Sequence, residues 1–373
     1  MPNTDSGADA FPKKQIIDEY PKDLPDTSGD DDADTADSGE ELFERVHLIV
    51  DKGQEPLRLD KFLVARIEGA SRNKVQQSIE AGRVLVNGKN VQANHRIKPG
   101  EEIIVYSDKE THSEEIIPEE MPLSIVYEDE EIMIINKPVG MVVHPASGNY
   151  SGTLVNGVAW YLQKQNSHLN QEDLPRFGLV HRIDKNTSGL LVLAKNSKAL
   201  TSLAKQFFDH TVHRQYIALV WGDVVEDEGT INANIGRHKR LRKLFDAYPD
   251  GDQGKEAITH YKVLERLGYV TLIQCELETG RTHQIRVHMQ HIGHPLFNDD
   301  VYGGDRIVKG TVFTKYKQFV DNCFAICPRH ALHARTIGFI HPKTRQPVSF
   351  DSDMPGDMRD VIEKWRNYSK TRK

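Results

Sequence analysis

The segment Gly178-Leu179-Val180-His181-Arg182-Ile183-Asp184-Lys185-Asn186-Thr187-Ser188-Gly189-Leu190-Leu191-Val192-Leu193 constrains the fold more than any other part of the chain. Two apolar stretches flank a mainly polar loop closed by glycine. That pattern predicts strand–loop–strand, with the loop side chains presented into a cleft. A carboxylate in such a loop commonly does no more than cap a turn. Asp184 therefore becomes a candidate only through the residues that accompany it.

Around this segment, apolar β-rich stretches (Ile132–Ile135, Tyr216–Val220, Thr271–Cys275) alternate with amphipathic helices such as Ala199–Phe208. Adjacent strands with interposed helices predict an α+β domain over 122–365, built on a mixed, largely antiparallel sheet with flanking helices. A smaller unit over 41–106 precedes it. Val46–Val50 reads as a strand, and Leu59, Phe62, Leu63 and Ile67 recur at helical spacing. Val75 and Ile79 predict a second helix, with Ser71 as N-cap and Gly82 as its stop. Val84–Val86, the Asn87-Gly88 turn and a strand near Asn90–Ala93 make a hairpin. Pro99-Gly100 then turns the chain into Glu102–Tyr106. Residues 107–121 are polar and unpatterned, as a linker is.

Charge is unevenly placed. The chain nets −7, but residues 1–40 alone hold twelve Asp/Glu against three Lys, or −9, which leaves +2 on 41–373. Such an acidic, apolar-poor segment predicts a disordered tail. Residues 57–106 carry nine Lys/Arg against five Asp/Glu. The run Arg237-His238-Lys239-Arg240-Leu241-Arg242-Lys243 is too short and too basic for a core element, so Arg237, Lys239, Arg240 and Arg242 are expected to meet phosphates. A short basic tail, 366–373, ends the chain. Three cysteines make no disulfide framework and favour a reducing compartment. The start lacks a basic region followed by an apolar run, and no apolar stretch approaches ~20 residues, so a cytoplasmic protein is expected. Cys323-x3-Cys327 with His330 and His333 lacks the two-residue zinc knuckle and a second cysteine pair, so no metal is expected there.

The pieces Leu57-Arg58-Leu59-Asp60-Lys61-Phe62-Leu63, Ser71-Arg72 and Ala81-Gly82-Arg83-Val84-Leu85-Val86-Asn87-Gly88 resemble the S4 RNA-binding domain, with its αα-hairpin and β-hairpin. The resemblance implies that Arg58, Lys61, Arg72, Lys74 and Arg83 present positive charge to structured RNA. Cations on one face neutralise phosphates and recognise backbone shape.

Four segments in order resemble the RluA/RluD family of pseudouridine synthases. They are Ile135–Pro145 (INKPVGMVVHP), the Asp184 segment, His213–Val220 (HRQYIALV) and Thr279–His288 (TGRTHQIRVH). Ile183 stands where leucine is more frequent in that family. The resemblance implies a pseudouridine synthase fold and a catalytic aspartate at Asp184. It also implies a tyrosine at Tyr216 that faces the base and an Asp-pairing arginine at Arg281, with Arg286 as the fallback. Arg182 would fill the place of the extruded base, His181 would support the loop, and Ile285 would line the uracil pocket or the core. The chemistry agrees with these residue types. Moving a uracil from an N- to a C-glycosidic bond oxidises nothing and loses nothing, so no cofactor is expected. A carboxylate can serve by attacking the substrate or by abstracting a sugar proton, and both roles need it ionised. A neighbouring guanidinium keeps it so.

The expected partner is RNA, with large-subunit 23S ribosomal RNA implied by the S4 unit and a monomer as the acting form. A transfer RNA substrate and a non-catalytic ribosome-assembly factor are the alternatives. A metal-dependent nuclease built on Asp184 with His283, His288, His291 and His294 lacks clustered carboxylates to hold Mg²⁺.

Overall fold

A computed structural model describes residues 43–371, apart from 68–69, 108–115, 147–148, 167–168, 240 and 242–243. The acidic 1–40 segment lies outside the described residues. The chain divides into two compact units, whose described parts are 43–107 and 116–371.

The first unit consists of β1 (Phe43–Ile49), α1 (Leu59–Arg66), α2 (Arg72–Glu80), β2 (Val84–Val86), β3 (Lys89–Asn90) and β4 (Glu102–Ser107). Its antiparallel sheet has the order β1-β4-β2-β3. Local sequence signals are realised here. The Ser71 side chain accepts from Lys74 N at 3.4 Å, and Asn87 and Gly88 both adopt positive φ (51° and 72°) in the hairpin turn. Leu59, Phe62, Leu63, Val75 and Ile79 join Val84, Val86, Ile103 and Val105 in one core.

A carboxylate holds the two helices together. Asp60, fully buried, accepts from Arg58 Nε and Nη2 (both 3.0 Å), Arg72 Nε and Nη2 (both 3.1 Å), Gln76 Nε2 (3.0 Å) and Lys61 N (2.9 Å). The Arg58 hydrogen bonds, opposed by burial and helped by Gln76 and Arg72, hold its carboxyl well below the usual carboxylate range.

The second unit comprises β5 (Ile125–Glu128), β6 (Ile132–Lys137), α3 (Leu154–Gln165), β7 (Ser188–Ala194), α4 (Ser197–Phe208), β8 (His213–Trp221), β9 (Glu228–Asn232), β10 (Asn234–Arg237), β11 (Phe245–Tyr248), β12 (Ile258–Arg266), β13 (Val270–Leu277), α5 (Gln284–His291), α6 (Thr314–Ile326), β14 (Leu332–Ile340), β15 (Pro347–Asp351) and α7 (Gly356–Lys370). One nine-stranded sheet has the order β5-β6-β7-β14-β8-β13-β12-β9, with β15 added to β14, and β10–β11 forms a separate hairpin. β7 and β14 run parallel, and the other strand pairs of this sheet are antiparallel. Central strands are covered on both faces. In β7, Leu191 and Leu193 enter one apolar cluster while Leu190, Val192 and Ala194 enter another. β8 alternates likewise, with Tyr216, Ala218 and Val220 on one side and Ile217, Leu219 and Trp221 on the other. A period-2 backbone between two apolar layers requires this arrangement.

Three sequence expectations shift. The stretch before Asp184 is a 3-10 turn, Pro175–Gly178, followed by a single bridge from Leu179 to Leu193 rather than a full strand. Residues 116–121, read as linker, pack on α3: Ile116 is buried and Asn156 Nδ2 donates to Ile117 O at 2.7 Å. Arg366 and Lys370, read as tail, continue α7, and Arg366 pairs with Glu265 at 2.8 Å.

Replacing Asp60 by Asn should speed hydrogen exchange in α1 and α2 by roughly 100-fold at pH 7, corresponding to about 3 kcal/mol for a broken buried ion pair. Because the folded pKa is depressed, the stabilisation is complete above the unfolded value of about 4. The gap to wild type should therefore narrow as pH falls below that value.

Candidate active site

Asp184 lies in the connection between the 3-10 turn and β7, and each residue from 184 to 188 is tied down. The turn is left-handed, with φ 51° at Arg176, 48° at Phe177 and 81° at Gly178. Only glycine fits at 178, where a Cβ would lie 1.8 Å from Ala194 O. Beyond it, Thr187 N donates to Asp184 O at 3.1 Å. Lys137, fully buried, donates from Nζ to Pro138 O (2.8 Å), Met141 O (2.8 Å) and Lys185 O (2.9 Å). Arg329 donates from Nη1 to Asn186 O at 3.1 Å while a bidentate pair with Asp357 aims its guanidinium. Thr187 Oγ1 meets His330 Nε2 at 2.9 Å, and Ser188 Oγ meets His333 Nδ1 at 3.0 Å. At Gly189 (φ 118°) a Cβ would lie 2.1 Å from Ala334 O, so β7 and β14 meet there without a side chain between them.

The arginine that pairs with Asp184 is Arg286, not Arg281. Arg286 Nη1 donates to Asp184 Oδ2 at 3.0 Å, while its Nε and Nη2 hold the fully buried Asp299 at 2.8 and 3.0 Å. The Tyr302 ring lies 5.1 Å from this guanidinium. Arg281 precedes α5 and donates from Nε to Glu256 O at 2.8 Å. The helix decides between the two. It begins at Gln284, whose side chain accepts from Thr279 Oγ1 and Arg281 N, so Arg281 stays in the loop and Arg286 turns into the core. Asp184 is 19% exposed. Burial pushes its carboxyl up, but the charges of His283 and Arg286 outweigh that and hold it well below the usual carboxylate range. His283 Nε2 stands 4.0 Å from Oδ1.

Tyr216 is buried on β8, and burial, with the negative charge of Asp184 added, raises its phenol while Arg214 opposes. Ile285 belongs to the same apolar cluster as Tyr216 and Ile183. His181 braces the loop. Its Nε2 accepts from Val192 N at 3.1 Å, its ring stacks on Phe207, and burial followed by the charge of Arg214 pushes it down to about 3, so it is neutral. Arg182 is half-buried two residues before Asp184, and its charge reaches His144.

The cations assigned to RNA divide in two. Lys61 and Lys74 are exposed, Arg83 is half-buried, and Arg58 and Arg72 pair with Asp60 while 39% and 53% of their side chains remain exposed. On the β10–β11 hairpin, Arg237 lies over the Phe245 ring and Lys239 over the Tyr248 ring. Arg240 and Arg242 lie outside the described residues. Phe245 also meets His283 edge-on at 5.8 Å, which connects the hairpin to the carboxylate's surroundings.

The metal-type groups have other partners. His288 bonds Thr259 Oγ1 and Ala233 O, His294 bonds Trp221 O, and His283 Nδ1 meets Tyr302 OH. Cys323 and Cys327 are buried, and burial pushes both thiols up to about 12. Among the described residues no group of three His, Cys, Asp or Glu could hold a metal ion. No helix of the described residues is long and apolar enough to cross a membrane.

Sequence reasoning missed Lys137, Asp299, Tyr302 and Arg329. Lys137 carried a signal, being a lone lysine at the end of an apolar strand and directly before a proline. Burial, with Asp184 opposing and Arg329 reinforcing, pushes its ammonium down to about 7.

Residues 131–291 match the family model described as RNA pseudouridylate synthase, and residues 57–103 match the S4 domain. An uncharacterized RNA pseudouridine synthase of Chlorobaculum parvum is 46% identical over 86% of this chain and 97% of its own length. Ribosomal large subunit pseudouridine synthase D of Neisseria meningitidis serogroup B is 41% identical over 89% of this chain and 84% of its own. A solved human structure, RNA Pseudouridylate Synthase Domain Containing 4, shares the fold, with a TM-score of 0.52 at 21% identity over 65% of this chain and 93% of that one.

The two arginines separate cleanly by experiment. Arg286→Lys should shift the acid limb of the pH–rate profile upward, because a weaker partner raises the pKa of a carboxylate that must be ionised, and should lower kcat by roughly 100-fold. Arg281→Lys should leave the acid limb in place.

Proposed function

The chain belongs to the RNA pseudouridine synthase family, and on that premise we propose that it isomerises selected uridines of large-subunit ribosomal RNA with Asp184 as the catalytic carboxylate. The observation that carries this reading is an ionised, partly exposed carboxylate on a loop anchored at every residue, beside a buried tyrosine. The reaction breaks N1–C1′, forms C5–C1′ and moves a proton from C5 to N1. Asp184 Oδ2 is held by Arg286, which leaves Oδ1 for the sugar, either as nucleophile at C1′ or as base toward a sugar proton. Tyr216 offers a flat face to uracil and a protonated phenol, whose ionisation burial disfavours further. Ile285 belongs to the same apolar cluster as that tyrosine.

The base must first leave its stack, and Arg182 is assigned to fill the vacancy with its planar guanidinium. His181, neutral and bonded to Val192, keeps the loop in place for it. Arg281 braces the chain before β12 through its bond to Glu256 O. Residues 41–106 grip RNA through Lys61, Lys74, Arg83 and the outward parts of Arg58 and Arg72, and residues 122–365 carry the chemistry, with Arg237 and Lys239 as phosphate contacts. The ribosomal assignment rests on relatives named for the large subunit at about 40% identity. It carries with it a cytoplasmic enzyme acting as a monomer.

Mapping pseudouridines in total RNA from a strain lacking this gene tests both parts. One or a few large-subunit sites should revert to uridine, return with the wild-type gene and stay absent with Asp184→Asn. Loss confined to transfer RNA would overturn the substrate, and restoration by Asp184→Asn would overturn the carboxylate.

A further inference from the structure

Residues 306–317, Arg-Ile-Val-Lys-Gly-Thr-Val-Phe-Thr-Lys-Tyr-Lys, contain four cations and no acid. Within them, large apolar side chains face solvent: Val312 is 100% exposed, Phe313 71% and Ile307 36%. Arg306, Lys309 and Lys315 have no side-chain ion pair or hydrogen bond among the described residues, whereas Lys317 pairs with Asp321. The segment is held to the body of the fold. Tyr316 OH donates to Lys309 O at 2.6 Å, and Val308 and Tyr316 pack into the cluster around Trp221 and Trp365. Gly310 (φ 139°) crosses so close to the Tyr316 ring that a Cβ there would lie 2.0 Å from it. Phe313 directly precedes α6, and its carbonyl accepts from Tyr316 N and Lys317 N. Its ring is thus presented by an ordered backbone.

We infer that this strap is a second RNA contact of the catalytic unit, on which Phe313 and Val312 stack against unpaired bases while Arg306, Lys309 and Lys315 meet the adjoining phosphates. An exposed aromatic among unpaired cations is the arrangement that binds single-stranded nucleic acid without reading sequence. A protein partner fits less well, since interfaces place their aromatics in a charge-depleted centre, and this strap has a cation within three residues of each apolar side chain. Position agrees with the inference. A Cβ at Gly222, the residue after β8, would lie 3.6 Å from Lys309 Cγ, and Tyr216 is six residues back along that strand. At ~3.3 Å per residue the offset is roughly 20 Å, or about six stacked nucleotides. The strap would therefore engage RNA about six nucleotides from the target uridine and favour long substrates over short stem-loops.

The inference rests on the RNA-modifying reading above, so binding and turnover are measured separately. Wild type, Phe313→Ala, Phe313→Trp and Lys309→Ala/Lys315→Ala are compared for Kd on protein-free large-subunit RNA, and for kcat and KM on a short stem-loop around the modified uridine. Phe313→Ala should weaken the long-RNA Kd by roughly 5- to 100-fold, Phe313→Trp should restore it, and the stem-loop constants should not move. The lysine pair should flatten the slope of log Kd against log salt by roughly 1 to 2. An unchanged Kd for Phe313→Ala, or an effect that appears only on particles carrying ribosomal proteins, would overturn the inference. A wild type that binds but converts no uridine would instead count against the function, and the Kd series would still read the strap.

Discussion

The guanidinium of Arg286 is shared between two carboxylates, and the geometry around Asp184 follows from that sharing. Asp299 takes the Nε–Nη2 edge and Asp184 the remaining Nη1. Asp299 is fully buried and also accepts from the amides of Val301 and Tyr302, so it orients the arginine rather than competing for it. One buried cation between two acids would leave a net negative charge in a low-dielectric site, a costly arrangement by itself. Its surroundings offset this. The charges of His283 and Arg286 act on Asp184, which in turn raises the ammonium of Lys137 against burial and the charge of Arg329. The carboxylate stays ionised because positive groups converge on it from several elements.

The same economy of contacts holds the loop. Its carbonyls at Lys185 and Asn186 are capped by Lys137 and Arg329, and its hydroxyls at Thr187 and Ser188 by His330 and His333. These anchors come from the end of β6, from β14 and the approach to it and, through Asp357, from the first turn of α7. A polar loop beside a sheet core must satisfy its backbone groups internally, and here side chains from distant segments do so. The glycines at 178 and 189 let the chain enter and leave the loop in van der Waals contact with Ala194 and Ala334. Disturbing any of these anchors would loosen the Asp184 carboxylate without touching it.

The cationic side chains are distributed by a different rule. In the first unit Arg58 and Arg72 are structural and outward-facing at once, since Asp60 engages one edge of each guanidinium and a good part of each side chain remains in solvent. A fork with five donors allows this, whereas a lysine would have to choose. On the hairpin two cations lie over aromatic rings, an arrangement suited to a partner with both phosphates and base faces, and on the 306–317 strap the cations flank an exposed phenylalanine in sequence.

Local rules were enough for much of this. The Ser71 cap, the Asn87-Gly88 turn and the period-2 strands β7 and β8 depend on neighbours along the chain, so they were legible in the sequence, as was Asp184 in its polar loop between apolar stretches. Lys137 was visible as a residue but not as an anchor, because its three acceptors lie on a turn and on a loop nearly fifty residues away. The choice between Arg281 and Arg286 could not be made from the segment that holds both. It depends on α5 starting at Gln284, and that start depends on the hydrogen bond Gln284 accepts from Thr279 and those it donates to Ile258 and Thr259 across the sheet. The sequence by itself, through its resemblance to a known family, pointed to the reaction type and to Asp184 as the candidate carboxylate, and its short-range patterns marked out the two-unit plan. Only the tertiary structure decided which guanidinium ionises that carboxylate, because a charge acts through space and the distance is set by elements a hundred residues apart.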